Sequence, residues 1–438
     1  MVALRHYAEQ RFTCAQCGRC CRRGWDIAVT AAEVEAYRKA GAAEWYTTTE
    51  QVSERTGTET EAGTETGVVD PFEPIVGHAG HFRIRKRADG ACGFLSPENR
   101  CRIHEQLGGA RKPLTCRLFP FRFHPAEGKA VLSASFCCPT VVANEGEPVT
   151  AQVRALSGLY NEWARTYPEP RRSFELVAGR PISGATVATL RETLRTMLDH
   201  ADAEGRVDLT ANVRRMAGFL DDITRHRVVK LAPERFAEYV EVTGRYAAAS
   251  DRPSPDRGPS GVGRVLARGF LFAVLSAREQ LRSPATGMRL GLRARLARLL
   301  AHTHGVGPGV RDVDLRAGRL VTRGFDDPGT RDLALHYLRA AVEDIGTGRR
   351  PVVDELVMAV ALLNAALEFA AMRAGQAGRR VIDAAALSQG LLETMDLAHA
   401  EPEGAYARVL VSLAGGLDAL WVLGSNGSNG KSIDTVSK

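Results

Sequence analysis

The sequence predicts a mainly α-helical protein: a small, irregular cysteine-rich domain followed by an α-helical region. Three observations predict it. All nine cysteines of the 438 residues lie between Cys14 and Cys138, and none follows. From about Pro148 onward, apolar residues recur at helical spacing in one segment after another. The hydrophobic content of 44% is enough for two or three compact domains.

The first domain is expected over residues 1–145. It opens with Cys14-Ala15-Gln16-Cys17-Gly18-Arg19-Cys20-Cys21, a C-x2-C-x2-C-C run. Two residues between cysteines let both thiolates reach one ion around a tight turn, the spacing of zinc knuckles and iron–sulfur loops. Thr30-Ala31-Ala32-Glu33 reads as a capping box, so a helix is expected from there to about Lys39. Residues 47–67 are rich in Thr, Glu and Gly and read as a flexible insertion. Beyond it come Cys92, Cys101, Cys116 and the Cys137-Cys138 pair. A single four-coordinate ion or one cubane cluster needs four ligands, so this set could serve two sites with one thiol over. Adjacent cysteines are expected to diverge, each giving one ligand to a site and the other elsewhere. The expected metal ligands are Cys14, Cys17, Cys20, Cys21, Cys92, Cys101, Cys116 and Cys138, converging despite the insertion.

The helical region divides into residues 150–250 and 262–424, separated by a Pro/Ser/Asp-rich linker at 251–261. Helices are expected over Val153–Tyr167, Gly184–Ala203, Leu209–His226 and Pro233–Ala249. After the linker, Leu292, Leu296, Leu299 and Leu300 form one amphipathic stripe, and Leu335, Leu338, Val342 and Ile345 another. Helices at 354–373, 384–398 and 405–423 follow, then a Gly/Ser/Asn-rich tail at 425–438 that reads as disordered.

The formal net charge is +7. Between Gly261 and His304 eight arginines face the single acid Glu279, which reads as a solvated helix surface, and nucleic acid is not an expected partner. The longest apolar stretch, Leu356 to Ala371, is about a turn short of a membrane span and is interrupted by Asn364 and Glu368. No membrane partner is expected. The opening residues carry no apolar signal region, so a cytoplasmic protein with reduced thiols is expected rather than a disulfide framework.

Arg19, Arg22, Arg102 and Arg117, interleaved with the cysteines, are expected to lower thiol pKa values and to offset thiolate charge. His104 and His124 could each replace a sulfur. Radical S-adenosylmethionine chemistry needs C-x3-C-x2-C; Cys17 to Cys21 supplies the first gap, but position 24 is glycine. Gly305-Val306-Gly307-Pro308-Gly309 follows a leucine-rich helix rather than a strand and reads as a helix-ending loop. No catalytic residue is assigned.

Cys92-Gly93-Phe94-Leu95, Cys101-Arg102-Ile103-His104 and Arg111-Lys112-Pro113-Leu114-Thr115-Cys116-Arg117-Leu118-Phe119-Pro120-Phe121 follow the first run in order. Together with that run, Ile27 and the Thr30 cap, they resemble the bacterial cysteine-cluster family of zinc- or iron-chelating domains over roughly residues 12 to 140. A narrower similarity, carried by Cys20 to Ile27, Cys101 to Gly108 and Cys138-Pro139, is to the flagellin lysine-N-methylases. That resemblance implies methyl transfer from S-adenosylmethionine to lysines of flagellin and a 4Fe-4S cluster whose counterparts here are Cys20, Cys21, Cys92, Cys101, Cys116 and Cys138. Cys14, Cys17 and the Arg117 to Phe121 stretch follow the shorter chelating proteins instead. Three readings therefore stand: an iron–sulfur or zinc protein, a protein lysine methyltransferase, and a zinc-stapled helical scaffold.

Overall fold

The computed structural model describes residues 3–23, 25–46, 70–126, 129–167, 173–250, 321, 324–347 and 350–400. The insertion at 47–67, the linker at 251–261, the arginine-rich stretch with its leucine stripe, the loop at 305–309, the helix expected at 405–423 and the tail lie outside them.

In chain order the elements begin with β1 (Ala3–His6), β2 (Ala28–Thr30), α1 (Ala31–Lys39), β3 (Phe72–Pro74), β4 (His81–Ile84), α2 (Arg102–Leu107), α3 (Leu114–Leu118), β5 (Phe121–Ala126), β6 (Lys129–Ala134) and α4 (Pro139–Ala143). There follow α5 (Val149–Thr166), β7 (Phe174–Glu175), β8 (Pro181–Ile182), α6 (Gly184–Leu198), α7 (Leu209–Thr224) and α8 (Pro233–Ala249). The last described are α9 (Pro328–Asp344), α10 (Val352–Gln376) and α11 (Ala384–Ala400). The fold is mainly helical, with few and short strands.

The chain's contacts divide it differently from a single cut at residue 145. One compact unit, here the cysteine unit, comprises Arg11–Arg122 and Asn144–Pro168; the other, the helical unit, comprises Met1–Gln10, Phe123–Ala143 and Glu169–Lys438.

Within the cysteine unit, β2, β4 and β3 form an antiparallel sheet in that order, with Val29 opposite Phe82 and Phe72 opposite Ile84. Alternation turns Val29, Phe72 and Ile84 into a core shared with Val34, Tyr37, Phe94, Leu95 and Ile103. Helix α1 starts and stops where the sequence predicts. The Thr30 hydroxyl accepts from the Glu33 amide, and the Glu33 carboxylate accepts from the Thr30 amide at 2.8 Å. Residues 144–168 join this unit because Arg11 bridges Pro148, and because Arg117 pairs with Glu162 on α5.

Within the helical unit, β1 lies parallel to β6 in a sheet of order β1-β6-β5, Leu4 opposite Ala130. Helices α6, α7 and α8 pack together, and Leu190, Leu194, Met216, Phe219 and Phe236 on them are buried. Ser183 and Asp208 cap the first two, each side chain accepting an amide of the first turn. The expected stripe on α9 is buried throughout, from Leu335 through Leu338 and Val342 to Ile345 just past the helix end. Helix α10 is longer than the sequence suggested. At 25 residues it is long and apolar enough to cross a membrane by length and composition, but 67% of its apolar window is buried inside the structure, as befits a core helix. It packs on α11 at close range: a Cβ on Gly390 would stand 2.2 Å from the Ala366 carbonyl oxygen, so only glycine permits this approach.

Candidate metal centre

Seven of the nine cysteines, Cys14, Cys17, Cys20, Cys21, Cys92, Cys101 and Cys116, belong to the cysteine unit. Local structure gathers them from three stretches of chain. The first run is shaped by Gln16 and Gly18, both at positive φ (51° and 68°), after which a 3-10 turn spans Cys20–Arg22. Gly18 is pressed on Asn99: a Cβ there would sit 2.9 Å from the Asn99 Cβ. The carbonyl of Cys21 accepts the Cys92 amide at 2.7 Å, which ties the first run to the second cysteine group. Cys92 bridges Lys86, and Cys101 bridges Leu95 before it starts α2. Cys116 sits mid-way along α3, whose first amide, on Leu114, donates to Glu33 at 2.8 Å, and whose Thr115 hydroxyl donates to the Ala28 carbonyl at 3.0 Å. The residue that caps α1 therefore also holds the helix that carries Cys116.

Several of these cysteines share one apolar core. Cys92 is part of the unit's buried apolar core, and Cys21, Cys101 and Cys116 are packed against that same core. The sulfurs of Cys20 and Cys21 lie 3.9 Å apart, so the divergence expected of adjacent cysteines does not occur. In an extended chain they would point to opposite faces; in the 3-10 turn successive side chains are only about 120° apart, which leaves the two sulfurs within reach of each other. The expected convergence of the eight cysteines on an ion is not seen: among the described residues no group of three or more His, Cys, Asp and Glu side chains is arranged to hold one.

The electrostatics centre on Lys112. Burial disfavours its charge, yet Cys116, Cys101, Cys14 and Cys20 around it outweigh that penalty and raise its pKa. The Cys21 thiol, hydrogen-bonded to Cys20, pulls the Cys20 thiol down to about 6, with Lys112 assisting against the opposing effect of burial. That same bond raises Cys21, and burial adds to it. Burial pushes the Cys92 thiol up to about 11 and raises Cys116 as well. Lysines act on these thiols, Lys112 on Cys20 and Cys116 and Lys86 on Cys92. Three of the arginines expected in that role are engaged elsewhere: Arg22 on Asn99, Arg102 on the Trp45 carbonyl at 3.0 Å, and Arg117 on Glu162. Sequence reasoning passed over Lys112 although it stands inside the quoted Arg111 to Phe121 motif; its place four residues before Cys116 was the available signal.

The remaining candidates lie apart from this account. Cys138 belongs to the helical unit and is buried directly before α4. Its neighbour Cys137 is buried there too, donating from Sγ to the Met395 carbonyl at 3.4 Å. His124, also of that unit, is buried with Nε2 3.0 Å from the Ser133 hydroxyl on the neighbouring strand, the hydrogen-bonded role rather than the ligand role. His104 lies in α2 of the cysteine unit, its ring beside Gly109.

By chemistry alone, seven thiols in one unit with Lys86 and Lys112 near them are the soft donors that zinc and iron favour. Residues 13–139 match the family model CxxCxxCC, described as "Putative zinc- or iron-chelating domain". No curated protein and no solved structure matches the chain. The narrower similarity to flagellin lysine-N-methylases is not shown by these comparisons.

Proposed function

We propose that the cysteine unit holds a zinc ion or an iron–sulfur cluster on thiolates drawn from three chain segments, and that this centre is what the cysteines of that unit are for. One observation carries the reading: Cys21, Cys101 and Cys116 pack on the core that contains Cys92, although 95 residues of sequence separate Cys21 from Cys116. Cys20, Cys21, Cys92, Cys101 and Cys116 would hold the group from the inside, with Cys14 and Cys17 on the exposed side. Zinc would cross-link these segments, whereas an iron–sulfur cluster would add one-electron chemistry. Lys112 would offset part of the thiolate charge, and Glu33, by fixing α3 to α1, would hold Cys116 in register with the rest.

Anaerobic purification followed by metal and acid-labile sulfide analysis and a visible spectrum tests the proposal. A stoichiometric metal that is lost when Cys92 and Cys116 are replaced by serine is the expected result. Chain that is folded and metal-free after anaerobic purification and zinc or iron reconstitution would end the reading. Calorimetric titration of the metal-loaded protein with S-adenosylmethionine then separates the alternatives: a metal centre alone gives no heat, and a methyltransferase does.

A further inference from the structure

We propose that His336 is an acid-sensitive latch of the helical unit: neutral, it clamps the opening strand and the chain leading into α4 onto α9, and protonated, it lets that strand go. The inference is independent of the metal-centre reading above.

Helix α9 holds β1 at two points. Arg5 donates to the carbonyls of Glu343 and Ile345 at the helix end. Further back along α9, the His336 ring meets Tyr7, just past β1, and Phe136, three residues before α4, with ring centroids 5.4 and 5.5 Å away. Phe136 also meets the next side chain of the helix, Tyr337, edge to face at 4.9 Å. Tyr7 and Phe136 are both buried, so the imidazole packs on surfaces that offer it no water. Strand β1 has four residues and a single partner strand, so its side-chain contacts with α9 decide whether it stays in place.

The ring is provided for in one charge state. It hydrogen-bonds the Val141 backbone, and its Nε2 is buried without a partner. A neutral imidazole leaves one acceptor unfilled there; an imidazolium would bury an N–H and a charge with nothing to accept them. Among the described residues the charged side chains that act on the ring are Glu9, beyond β1, and Arg339, one turn along α9; α4, α6, α10 and α11 contribute none. Glu9 favours the cation and Arg339 opposes it. The Glu9 carboxylate is already engaged, accepting from Arg339 at 3.1 Å and from the Tyr7 hydroxyl at 3.0 Å, while Arg339 also donates to Asp199 at 2.7 Å. The faces of the two aromatic rings attract a cation, but burial is the largest influence and holds the His336 pKa below the ordinary histidine value.

Released chain therefore takes up the proton before the closed form does. The latch is at full strength above about pH 6.5 and weakens as pH falls towards the lowered value. Once pH is below both, the open form has gained about tenfold for each unit of lowering.

The test uses the full chain. Imidazole C2 hydrogen–deuterium exchange, read by mass spectrometry across pH, gives the pKa of His336 in the unaltered chain and should place it below about 6.5. Amide exchange of residues 3–10, corrected for its intrinsic pH dependence, should show opening at least about threefold greater at pH 5 than at pH 7.5. His336→Phe keeps an aromatic ring without a titrating nitrogen and should remove that acid response; comparing the two chains separates His336 from thiols that also take up protons in acid. A His336 pKa at or above the ordinary value overturns the latch, and that measurement needs no variant to fold. Opening that does not rise in acid overturns it too, as does an equal rise in both chains.

Discussion

Gly18→Ala probes whether the turn that carries Cys20 and Cys21 depends on backbone that only glycine supplies. Gly18 has φ of 68°, and a non-glycine residue there costs about 1–2 kcal/mol, partly offset by about 0.4–1 kcal/mol because alanine restricts the unfolded chain. The net backbone cost is therefore about 1 kcal/mol. The added Cβ would also stand 2.9 Å from the Asn99 Cβ and 3.1 Å from its carbonyl oxygen. Asn99 has little room to yield, being itself at φ 65° and bonded through its side chain to Arg22. Overpacking of this kind adds about 1–3 kcal/mol, for a total of about 2–4 kcal/mol. Gly77→Ala is the internal control, since Gly77 has φ of 81° but nothing within 4 Å of its missing Cβ. Urea denaturation of the metal-free chain, followed by circular dichroism, should show Gly18→Ala losing more stability than Gly77→Ala by the overpacking increment. Equal losses, within about 0.5 kcal/mol, would refute the argument that Asn99 holds the turn closed.

Lys112→Met keeps the stem and removes the charge; zinc competition titrations should show weaker binding, and the pH of half-loading should move up, because the thiols lose the cation that favours their ionised form. The Arg117–Glu162 pair ties α3 to α5, but the Glu162 side chain is 39% exposed, so Glu162→Gln should cost no more than about 1 kcal/mol in thermal or urea unfolding at neutral pH. The hydrogen bond from Arg117 holds the Glu162 carboxyl below its ordinary range, so the pair's stabilisation is present above that range and is lost as pH falls through the lowered value; unaltered and variant chains should converge in acid. Gly390→Ala forces α10 and α11 apart against a backbone carbonyl, and should destabilise by about 1–3 kcal/mol or more, read as a lowered melting temperature.

Much of this was legible wherever the signal was local. The Thr30 cap and the end of its helix at Lys39 follow from neighbouring side chains meeting neighbouring amides. The helices beginning at Gly184, Leu209 and Pro233 start where expected because a cap or proline marks each start. The ends of the first two were overrun by the sequence reading, α6 stopping at Leu198 and α7 at Thr224, whereas α8 ends at Ala249 as expected. Family motifs located the cysteines but not their geometry. The pairing of the Cys20 and Cys21 sulfurs depends on a 3-10 turn fixed by Asn99, a residue 78 positions after Cys21. The role of Lys112 depends on which cation the fold turns inward, and an arginine-rich sequence offers many wrong choices. The recruitment of residues 144–168 to the cysteine unit was equally invisible, since it rests on the Arg11–Pro148 bridge and the Arg117–Glu162 pair, each between residues far apart in sequence.

The parallel pairing of β1 with β6 has a consequence in time. The first strand of the helical unit is made before any of its partners: β6 follows more than a hundred residues later, and Arg5 bonds to the carbonyls of Glu343 and Ile345 at the far end of α9. During synthesis, every residue of the cysteine unit emerges before α9 exists. The proposed centre would therefore assemble while the opening strand is still waiting for its helix. Loop closure costs grow only logarithmically with length, so the long wait weighs little on final stability and heavily on the order of events. Metal supply would then act on the nascent chain, and starvation for it would be felt before the helical unit has closed.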